Sequence, residues 1–285
     1  MPLFVEIPDP VAGPNRVGQL RIDHRQARRS SSSPPLVLLG GMTQTLSSWG
    51  GQLRPLSERR EVIVYETRGQ GKTNLSLHDV SLAQQVDDFS ALLDALNISG
   101  PVDLAGFSFG ARISLAVAAT RHQRVRRLVL SGLGTGRGTL GRVIMRGWKA
   151  SLDSGNLDTL AWISLADTVG PDYLERHEHE LSNIVRATTT RNRFEGIKAL
   201  FDTSLDESDS TWLPASLAPN IACPTLLISG EFDRIAPPTE VSDLARRIPR
   251  AQAHVLPDVG HTVAIESAGA WRSQVVSFLD AEESM

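Results

Sequence analysis

One serine in the chain stands in a setting that would make it a nucleophile. Ser108 is the centre of Gly106-Phe107-Ser108-Phe109-Gly110, which fits the pattern G-x-S-x-G. A short segment from Val102 to Ala105, apolar except for Asp103, precedes this pattern, and a helical segment made mostly of small and aliphatic residues follows it. We therefore predict a strand, an abrupt turn and a helix, with the serine hydroxyl at the positive N-terminal end of the helix. Gly106 and Gly110 would let the two backbones pass closely.

A serine hydroxyl needs a neighbouring base, and the base must be oriented by a third group. Asp233 follows the predicted strand Leu226–Ser229, and His261 follows the last predicted strand in the pair Gly260-His261. Ligands of an open parallel sheet bind beyond the carboxyl ends of its strands. We therefore expect Asp233 and His261 to reach the same edge of the sheet as Ser108.

The elements around these residues alternate in the way typical of an α/β protein. Continuous apolar runs, bounded by turn residues, indicate strands that are buried on both faces. Helical segments between them predict right-handed crossovers and a mostly parallel sheet with helices on both faces. The predicted strands are Leu3–Ile7, Val17–Ile22, Leu36–Leu39, Val62–Tyr65, Val102–Ala105, Val125–Leu130, Pro224–Gly230 and Ala253–Leu256.

The alternation stops after Gly132 and resumes near Pro224. Between these points the sequence shows no clear strand and holds a large share of the aromatic residues. We predict a core made of residues 1–133 and 216–285, and a helical cap of residues 134–215 inserted late in the chain. The predicted cap helices lie around Leu140–Leu152, Asn156–Thr168, Pro171–Thr188 and Arg193–Phe201, and the later core helices are Pro238–Ile248 and Val263–Leu279.

The three motifs in this order resemble the α/β-hydrolase superfamily, in particular its capped esterases, C–C hydrolases and lactonases. The resemblance covers nearly the whole chain outside the cap and implies the α/β-hydrolase fold. It also implies that Ser108, Asp233 and His261 form a catalytic triad.

The resemblance further implies an oxyanion hole made by two backbone N–H groups. Phe109, directly after the serine, would supply one of them. Relatives usually carry His-Gly in the loop after the first buried strand, whereas this chain has Gly40-Gly41-Met42. By position, Met42 would supply the second N–H group.

The expected function is that of a serine hydrolase acting on an ester, thioester or similar small-molecule carbonyl through an acyl-enzyme, with no cofactor and no metal. Arg112, Trp148 and Trp162 are candidate substrate contacts, although a structural salt bridge also explains Arg112. The continuation after the elbow is similar to 2-succinyl-6-hydroxy-2,4-cyclohexadiene-1-carboxylate synthase, a lyase that eliminates pyruvate. That lyase, a C–C bond hydrolase and a non-catalytic ligand sensor remain alternatives.

Two further patterns do not support a site. Arg68-Gly69-Gln70-Gly71-Lys72-Thr73 ends like a phosphate-binding loop, but Glu66 stands where that motif requires its first glycine. In the resembled family a similar turn is structural. His177-Glu178-His179-Glu180 lacks the spacing H-E-x-x-H, so a solvated charged helix is the better interpretation.

Composition excludes several classes of function. A net charge of −3 and 21% charged residues give no support for nucleic-acid or membrane binding. Cys223 is the only cysteine, so no intrachain disulfide forms, and we expect it to be a packing residue. The first residues lack a secretion signal, and no run reaches the length of a membrane span. We expect a cytoplasmic protein with a small-molecule substrate, whose oligomeric state is open.

Overall fold

The computed structural model describes residues 2–205 and 209–282 and contains an eight-stranded sheet. The order of strands across the sheet is β1-β2-β4-β3-β5-β6-β7-β8. All pairings from β4 to β8 are parallel, while β1 and β2 join as an antiparallel hairpin at one edge. The strands are β1 (Pro2–Pro8), β2 (Val17–Arg25), β3 (Leu36–Leu39), β4 (Val62–Tyr65), β5 (Val102–Phe107), β6 (Val125–Ser131), β7 (Thr225–Gly230) and β8 (Ala251–Leu256).

The described helices confirm the predicted alternation. Four-residue strands such as β3 and β4 are buried throughout because helices cover both faces of the sheet. The helices are α1 (Gly50–Leu56), α2 (Leu82–Ala95), α3 (Phe109–Thr120), α4 (Thr139–Asp153), α5 (Leu157–Thr168), α6 (Pro171–Arg176), α7 (Leu181–Arg191), α8 (Phe194–Leu205), α9 (Pro214–Leu217), α10 (Pro238–Ala245), α11 (Val263–Glu266) and α12 (Ala268–Asp280).

Alternate residues of each central strand enter opposite halves of the core, because successive side chains of a strand point to opposite faces. Leu36 and Leu38 of β3 pack in the cluster that contains Trp271 of α12. Val37 and Leu39 pack in the other cluster, with residues of α2 and α3. The sheet is therefore held between two apolar layers.

Helices α4 to α8, here called the inserted helices, lie in the chain between β6 and β7. Their own apolar cluster joins Met145 and Trp148 of α4 to Phe201 of α8. The expected cap of residues 134–215 includes residues 206–208, and the expected core includes residues 1 and 283–285, all outside the described part. None of the described helices has the length and apolar character that crossing a bilayer requires.

Two helix predictions each joined two separate helices. The predicted helix Pro171–Thr188 is two helices, α6 and α7, separated by a 3-10 turn at Glu178–Glu180. The predicted closing helix is also two, because Ser267 has φ −127° and ψ 57°, outside the helical range. Apolar periodicity alone does not reveal such single-residue breaks.

Arg68, from the segment that ends like a phosphate-binding loop, has a structural position. Its side chain is fully buried, and its Nε and Nη2 atoms donate to both oxygens of Asp88 at 2.8 and 2.7 Å. Its Nη1 atom donates to Asp9 Oδ1 at 2.8 Å. Burial raises the pKa of Asp88, although the hydrogen bonds from Arg68 oppose that rise. Arg68 therefore ties the turn between β1 and β2 to helix α2.

Replacing Arg68 by methionine should lower the free energy of unfolding by about 3–5 kcal/mol, because Asp88 would remain buried without its partner. The measurement is urea unfolding followed by circular dichroism. Arg121→Met is the matched control, since Arg121 pairs at 2.8 Å with exposed Asp87, the neighbour of Asp88 on the same helix. That control should lose no more than about 1 kcal/mol. Equal losses in the two variants would contradict the structural role of Arg68.

Candidate active site

Ser108 lies in the turn between β5 and α3 with a strained backbone. Its φ of 52° and ψ of −112° lie in a region that residues with a side chain rarely adopt. Its N–H donates to the carbonyl of Ser131 at 2.8 Å, and its carbonyl accepts the first-turn bond from Arg112 N at 3.0 Å. These two bonds connect the serine to the neighbouring strand and to the following helix, so the surrounding structure maintains its strained backbone.

The glycines on either side of the serine allow close backbone contacts. A Cβ at Gly106 would lie 2.4 Å from the carbonyl oxygen of Gly110. One at Gly110 would lie 2.4 Å from the carbonyl oxygen of Leu39 in β3. Any side chain at either position would therefore push the turn away from the sheet.

His261 joins Ser108 and Asp233 in one chain of hydrogen bonds. Its Nε2 atom lies 2.9 Å from Ser108 Oγ, and its Nδ1 atom lies 2.7 Å from Asp233 Oδ2. Both His261 and Asp233 are only 3% exposed. The other carboxylate oxygen of Asp233 accepts the N–H groups of Ile235 and Ala236 at 2.9 and 2.8 Å.

This arrangement can move a proton. With a proton on Nδ1, the imidazole donates to Asp233 and presents the lone pair of Nε2 to the serine hydroxyl. In that arrangement Asp233 would stabilise the cation that would form if Nε2 took the hydroxyl proton. The imidazole also packs against the ring of Phe107, with centroids 4.8 Å apart.

Ser108 opens onto a cavity between the core and the inserted helices. Trp148, a predicted substrate contact, lies in its wall, and so does Arg112. Trp162 is not among the described residues that line this cavity, and its side chain is 43% exposed. The lining residues are Met42, Ser108, Phe109, Arg112, Gly132, Leu133, Gly134, Gly136, Arg137, Met145, Trp148, Ile235 and Ala236.

Met42 and Phe109 flank Ser108 in this cavity. Phe109 is the first residue of α3, where backbone N–H groups have no partner within the helix. The loop that carries Met42 runs beside the serine, since a Cβ on Gly41 would lie 3.2 Å from Ser108 Cβ. Sequence reasoning missed Gln44, whose side-chain oxygen accepts the N–H of Gly41 at 3.0 Å and so braces this loop.

Arg112 is one helical turn beyond the serine and extends toward the inserted helices. Its Nη1 atom donates to the carbonyl of Ser204 in α8 at 3.3 Å. Arg137 donates to the same carbonyl at 3.0 Å. Two guanidinium groups therefore lie in the wall of the cavity that contains Ser108, although each has contacts within the protein.

The remaining candidate groups lie elsewhere. His177 directly follows α6, where its ring stacks on Tyr173, and His179 is exposed. Within residues 2–205 and 209–282, no three His, Cys, Asp or Glu side chains are grouped so that they could hold a metal ion. Burial raises the pKa of the Cys223 thiol to about 11, which disfavours the reactive thiolate.

The chain belongs to the alpha/beta hydrolase fold family, whose sequence pattern matches residues 34–268. It is 30% identical to 2-hydroxymuconate semialdehyde hydrolase of Pseudomonas putida, over 80% of both chains. It is 28% identical to the putative 2-succinyl-6-hydroxy-2,4-cyclohexadiene-1-carboxylate synthase of Bacillus subtilis, covering 87% of this chain and 91% of that protein. These relatives support an enzyme of the hydrolase family.

A third curated relative is longer than this chain. It is the dihydrolipoyllysine-residue acetyltransferase component of the acetoin cleaving system of Pseudomonas putida, 30% identical over 86% of this chain. The chain spans 63% of that protein's length. Among solved structures, the enol-lactonase of Burkholderia xenovorans LB400 superposes with a TM-score of 0.81 at 27% identity, covering 93% of this chain and 97% of that one.

Gly110→Ala should destabilise the protein by about 1–3 kcal/mol, because the added Cβ cannot be accommodated beside β3 without backbone movement. The measurement is thermal or urea unfolding of the purified variant. Gly51→Ala in α1 is the control, since no described atom apart from the adjoining residues and the backbone of the helix itself lies within 4 Å of a Cβ there. The control should lose no stability, because alanine favours a helix over glycine. A Gly110→Ala protein as stable as this control would refute the close backbone passage.

Proposed function

We propose that the protein is a serine hydrolase that acts on an ester, thioester or similar activated carbonyl of a small molecule. The observation that carries this proposal is the hydrogen-bond chain from Asp233 through His261 to Ser108, with the serine at a strained turn that faces a cavity. The same three residues follow from the sequence motifs. Membership of the family supports an enzyme, and Ser108, His261 and Asp233 support the proposed nucleophilic serine chemistry.

The proposed reaction has two halves. In the first, Ser108 Oγ bonds to the substrate carbonyl carbon while His261 Nε2 takes its proton, and His261 then gives that proton to the leaving group. In the second, His261 takes a proton from water, whose oxygen attacks the acyl-enzyme, and the acid leaves as Ser108 regains its proton. The backbone N–H groups of Met42 and Phe109 stabilise the oxyanion in both halves.

We propose that the inserted helices act as a cap that shapes the substrate site. Trp148 and Met145 of α4 form part of the wall of the cavity that contains Ser108. A second cavity of about 270 Å³ lies between α5, α7 and the loop of Thr43, and it borders Thr262, the neighbour of His261. Its wall is mainly aliphatic and hydroxyl-bearing, so we assign the less polar part of the substrate to it.

The central test is to remove Ser108 and His261 singly and together. Ser108→Ala and His261→Ala should each lower kcat for a p-nitrophenyl ester by roughly 10⁶-fold, and the double variant should lose little more, because the residues act as a unit. Esters of graded chain length would then define the preferred acyl group. Losses that multiply in the double variant would refute the assigned mechanism.

Labelling with a fluorophosphonate probe separates the hydrolase from a ligand sensor. The wild-type protein should form a covalent adduct at Ser108, located by mass spectrometry of the peptide, because an activated serine is required. The His261→Ala variant should form it far more slowly. A wild-type protein that stays unmodified would favour the sensor.

A second candidate is a lyase like the 2-succinyl-6-hydroxy-2,4-cyclohexadiene-1-carboxylate synthase, and Arg112 with Arg137 beside Ser108 favours it. Guanidinium groups in a cavity suit a carboxylate-bearing substrate. This candidate predicts release of pyruvate from the menaquinone-pathway intermediate, measured with lactate dehydrogenase. If the protein released pyruvate from this intermediate but hydrolysed none of the esters, the lyase would replace the hydrolase as the proposed function.

For either candidate, Arg112→Ala should lower kcat/KM for a carboxylate-bearing substrate by at least tenfold, and for p-nitrophenyl acetate by much less, because a charged hydrogen bond is worth about 1.5–3 kcal/mol. Steady-state kinetics with the two substrates measures the difference. Arg146→Ala is the control, since Arg146 is an exposed residue of α4. Equal losses for both substrates would assign Arg112 a structural role.

A further inference from the structure

The carboxylate of Glu266 binds the backbone on both sides of His261. Its Oε2 atom accepts the N–H of Gly260 at 2.9 Å, and its Oε1 atom accepts the N–H of Thr262 at 2.9 Å and the Thr262 hydroxyl at 2.8 Å. Its Oε2 atom also accepts the N–H of Gly170 at 2.7 Å. A carboxylate has about four lone-pair sites, so these four donors use its full capacity.

Gly170 belongs to the segment between α5 and α6, so Glu266 joins the inserted helices to the His261 loop. The same segment makes a second connection to that loop. The carbonyl of Thr168, the last residue of α5, accepts the N–H of His261 at 2.7 Å and that of Thr262 at 3.3 Å. The N–H groups of residues 260 to 262 are therefore bound by Glu266 and by the end of α5.

Two glycines allow these segments to approach so closely. A Cβ on Gly260 would lie 2.5 Å from the N atom of Gly170. A Cβ on Gly170 would lie 2.9 Å from Glu266 Oε2 and 3.1 Å from the N atom of Gly260. The contact between the two backbones leaves no room for a side chain on either.

The end of α5 also reaches the loop of Asp233. Asp167 accepts a hydrogen bond from Arg234 Nη1 at 3.3 Å, and Arg234 directly follows Asp233. The other oxygen of Asp167 accepts the indole N–H of Trp148 at 2.9 Å. One segment of the inserted helices thus contacts the two loops that carry the acid and the base, and a wall of the cavity.

We propose that Glu266 is a positioning residue that couples the placement of the inserted helices to the placement of His261. This inference rests on the proposed function, since it assigns His261 the role of base. While the segment from Thr168 to Gly170 is in place, the main chain of His261 is fixed and Nε2 lies 2.9 Å from the serine hydroxyl. If that segment moves, the His261 N–H loses its acceptor, Thr168, and Glu266 loses the N–H of Gly170. The His261 loop then becomes less ordered, and proton transfer from Ser108 slows.

Capping of α11 alone does not explain this carboxylate. An acidic side chain at the start of a helix commonly accepts backbone N–H groups there. However, α11 has four residues, and the bond from Gly170 comes from a part of the chain 96 residues away. A helix cap has no need of that donor.

The test uses one variant on each side of the contact. Glu266→Gln keeps the shape but leaves one carbonyl oxygen for four donors, and Gly170→Ala displaces the carboxylate from the other side. Each should lower kcat for a short p-nitrophenyl ester, and the rate of fluorophosphonate labelling at Ser108, by about 10- to 100-fold, the cost of a small misplacement of a reacting group. KM should change less than about threefold, because neither residue lines the cavity around Ser108 or the second cavity assigned to the substrate.

Glu231→Gln is the matched control. Glu231 also accepts a backbone N–H of the loop before His261, that of Asp258 at 3.1 Å, but its side chain forms no hydrogen bond with the described residues of the inserted helices. It should retain wild-type kinetics. In hydrogen exchange followed by mass spectrometry, peptides that cover residues 259–265 and 166–172 should both exchange faster in Glu266→Gln and Gly170→Ala, and not in the control, whose affected N–H at Asp258 lies outside both peptides.

The double variant should lose no more activity than the more impaired of the two single variants, because both changes break the same connection. Wild-type rates in Glu266→Gln or Gly170→Ala, or a loss confined to KM, would overturn the coupling. If Glu266→Gln does not fold, Gly170→Ala decides alone. A wild-type protein without Ser108-dependent labelling would instead refute the proposed function, whatever the exchange data show.

Discussion

The position of one imidazole governs the arrangement around Ser108. His261 must meet a hydroxyl 153 residues before it and a carboxylate 28 residues before it, both within hydrogen-bond distance. The ends of β5, β7 and β8 bring the three residues together, because parallel strands end at one edge of the sheet. A small shift of any of these loops would separate the hydrogen-bonded atoms of Ser108, His261 and Asp233. Several interactions therefore hold the loops in place.

Those interactions are of two kinds. Steric contacts at Gly106, Gly110 and Gly260 leave the backbones a single close arrangement. Buried or partly buried carboxylates then hold the loops by accepting hydrogen bonds from backbone N–H groups, as Asp233 does from Ile235 and Ala236. Carboxylates suit this purpose because they accept several backbone donors at once and form strong bonds with them.

Buried charge is used in the same way far from the cavity. Asp103, at the start of β5, is fully buried and accepts hydrogen bonds from Arg60 and Arg126. Burial raises the pKa of Asp103, while the two guanidinium groups oppose that rise. Arg126 also donates to the carbonyl of Leu279 in α12, which joins the last helix to the sheet. Ion pairs and hydrogen bonds therefore connect the strands and α12 at the end of the sheet where β5 begins, away from Ser108.

Local patterns in the sequence determined the fold class, most strand and helix positions, and the three residues that meet at the sheet edge. A strand that is buried on both faces is mostly apolar, and the tight turn at Ser108 requires neighbours without side chains, so both leave a signal in the residue types. The motifs Gly230-Glu231-Phe232-Asp233 and Gly260-His261, each following a predicted strand, indicated the other two residues.

The tertiary structure alone decided which residues of the inserted helices face the cavity, that Trp148 lines it and Trp162 does not, and where α6 and α11 end. It also revealed Gln44, Arg137 and Glu266. The partners of all three are backbone groups, 3 residues away for Gln44 but 67 and 96 residues away for Arg137 and Glu266, and a backbone N–H or carbonyl is the same at every residue. No residue type or spacing encodes such a contact, which therefore exists only once the chain is folded.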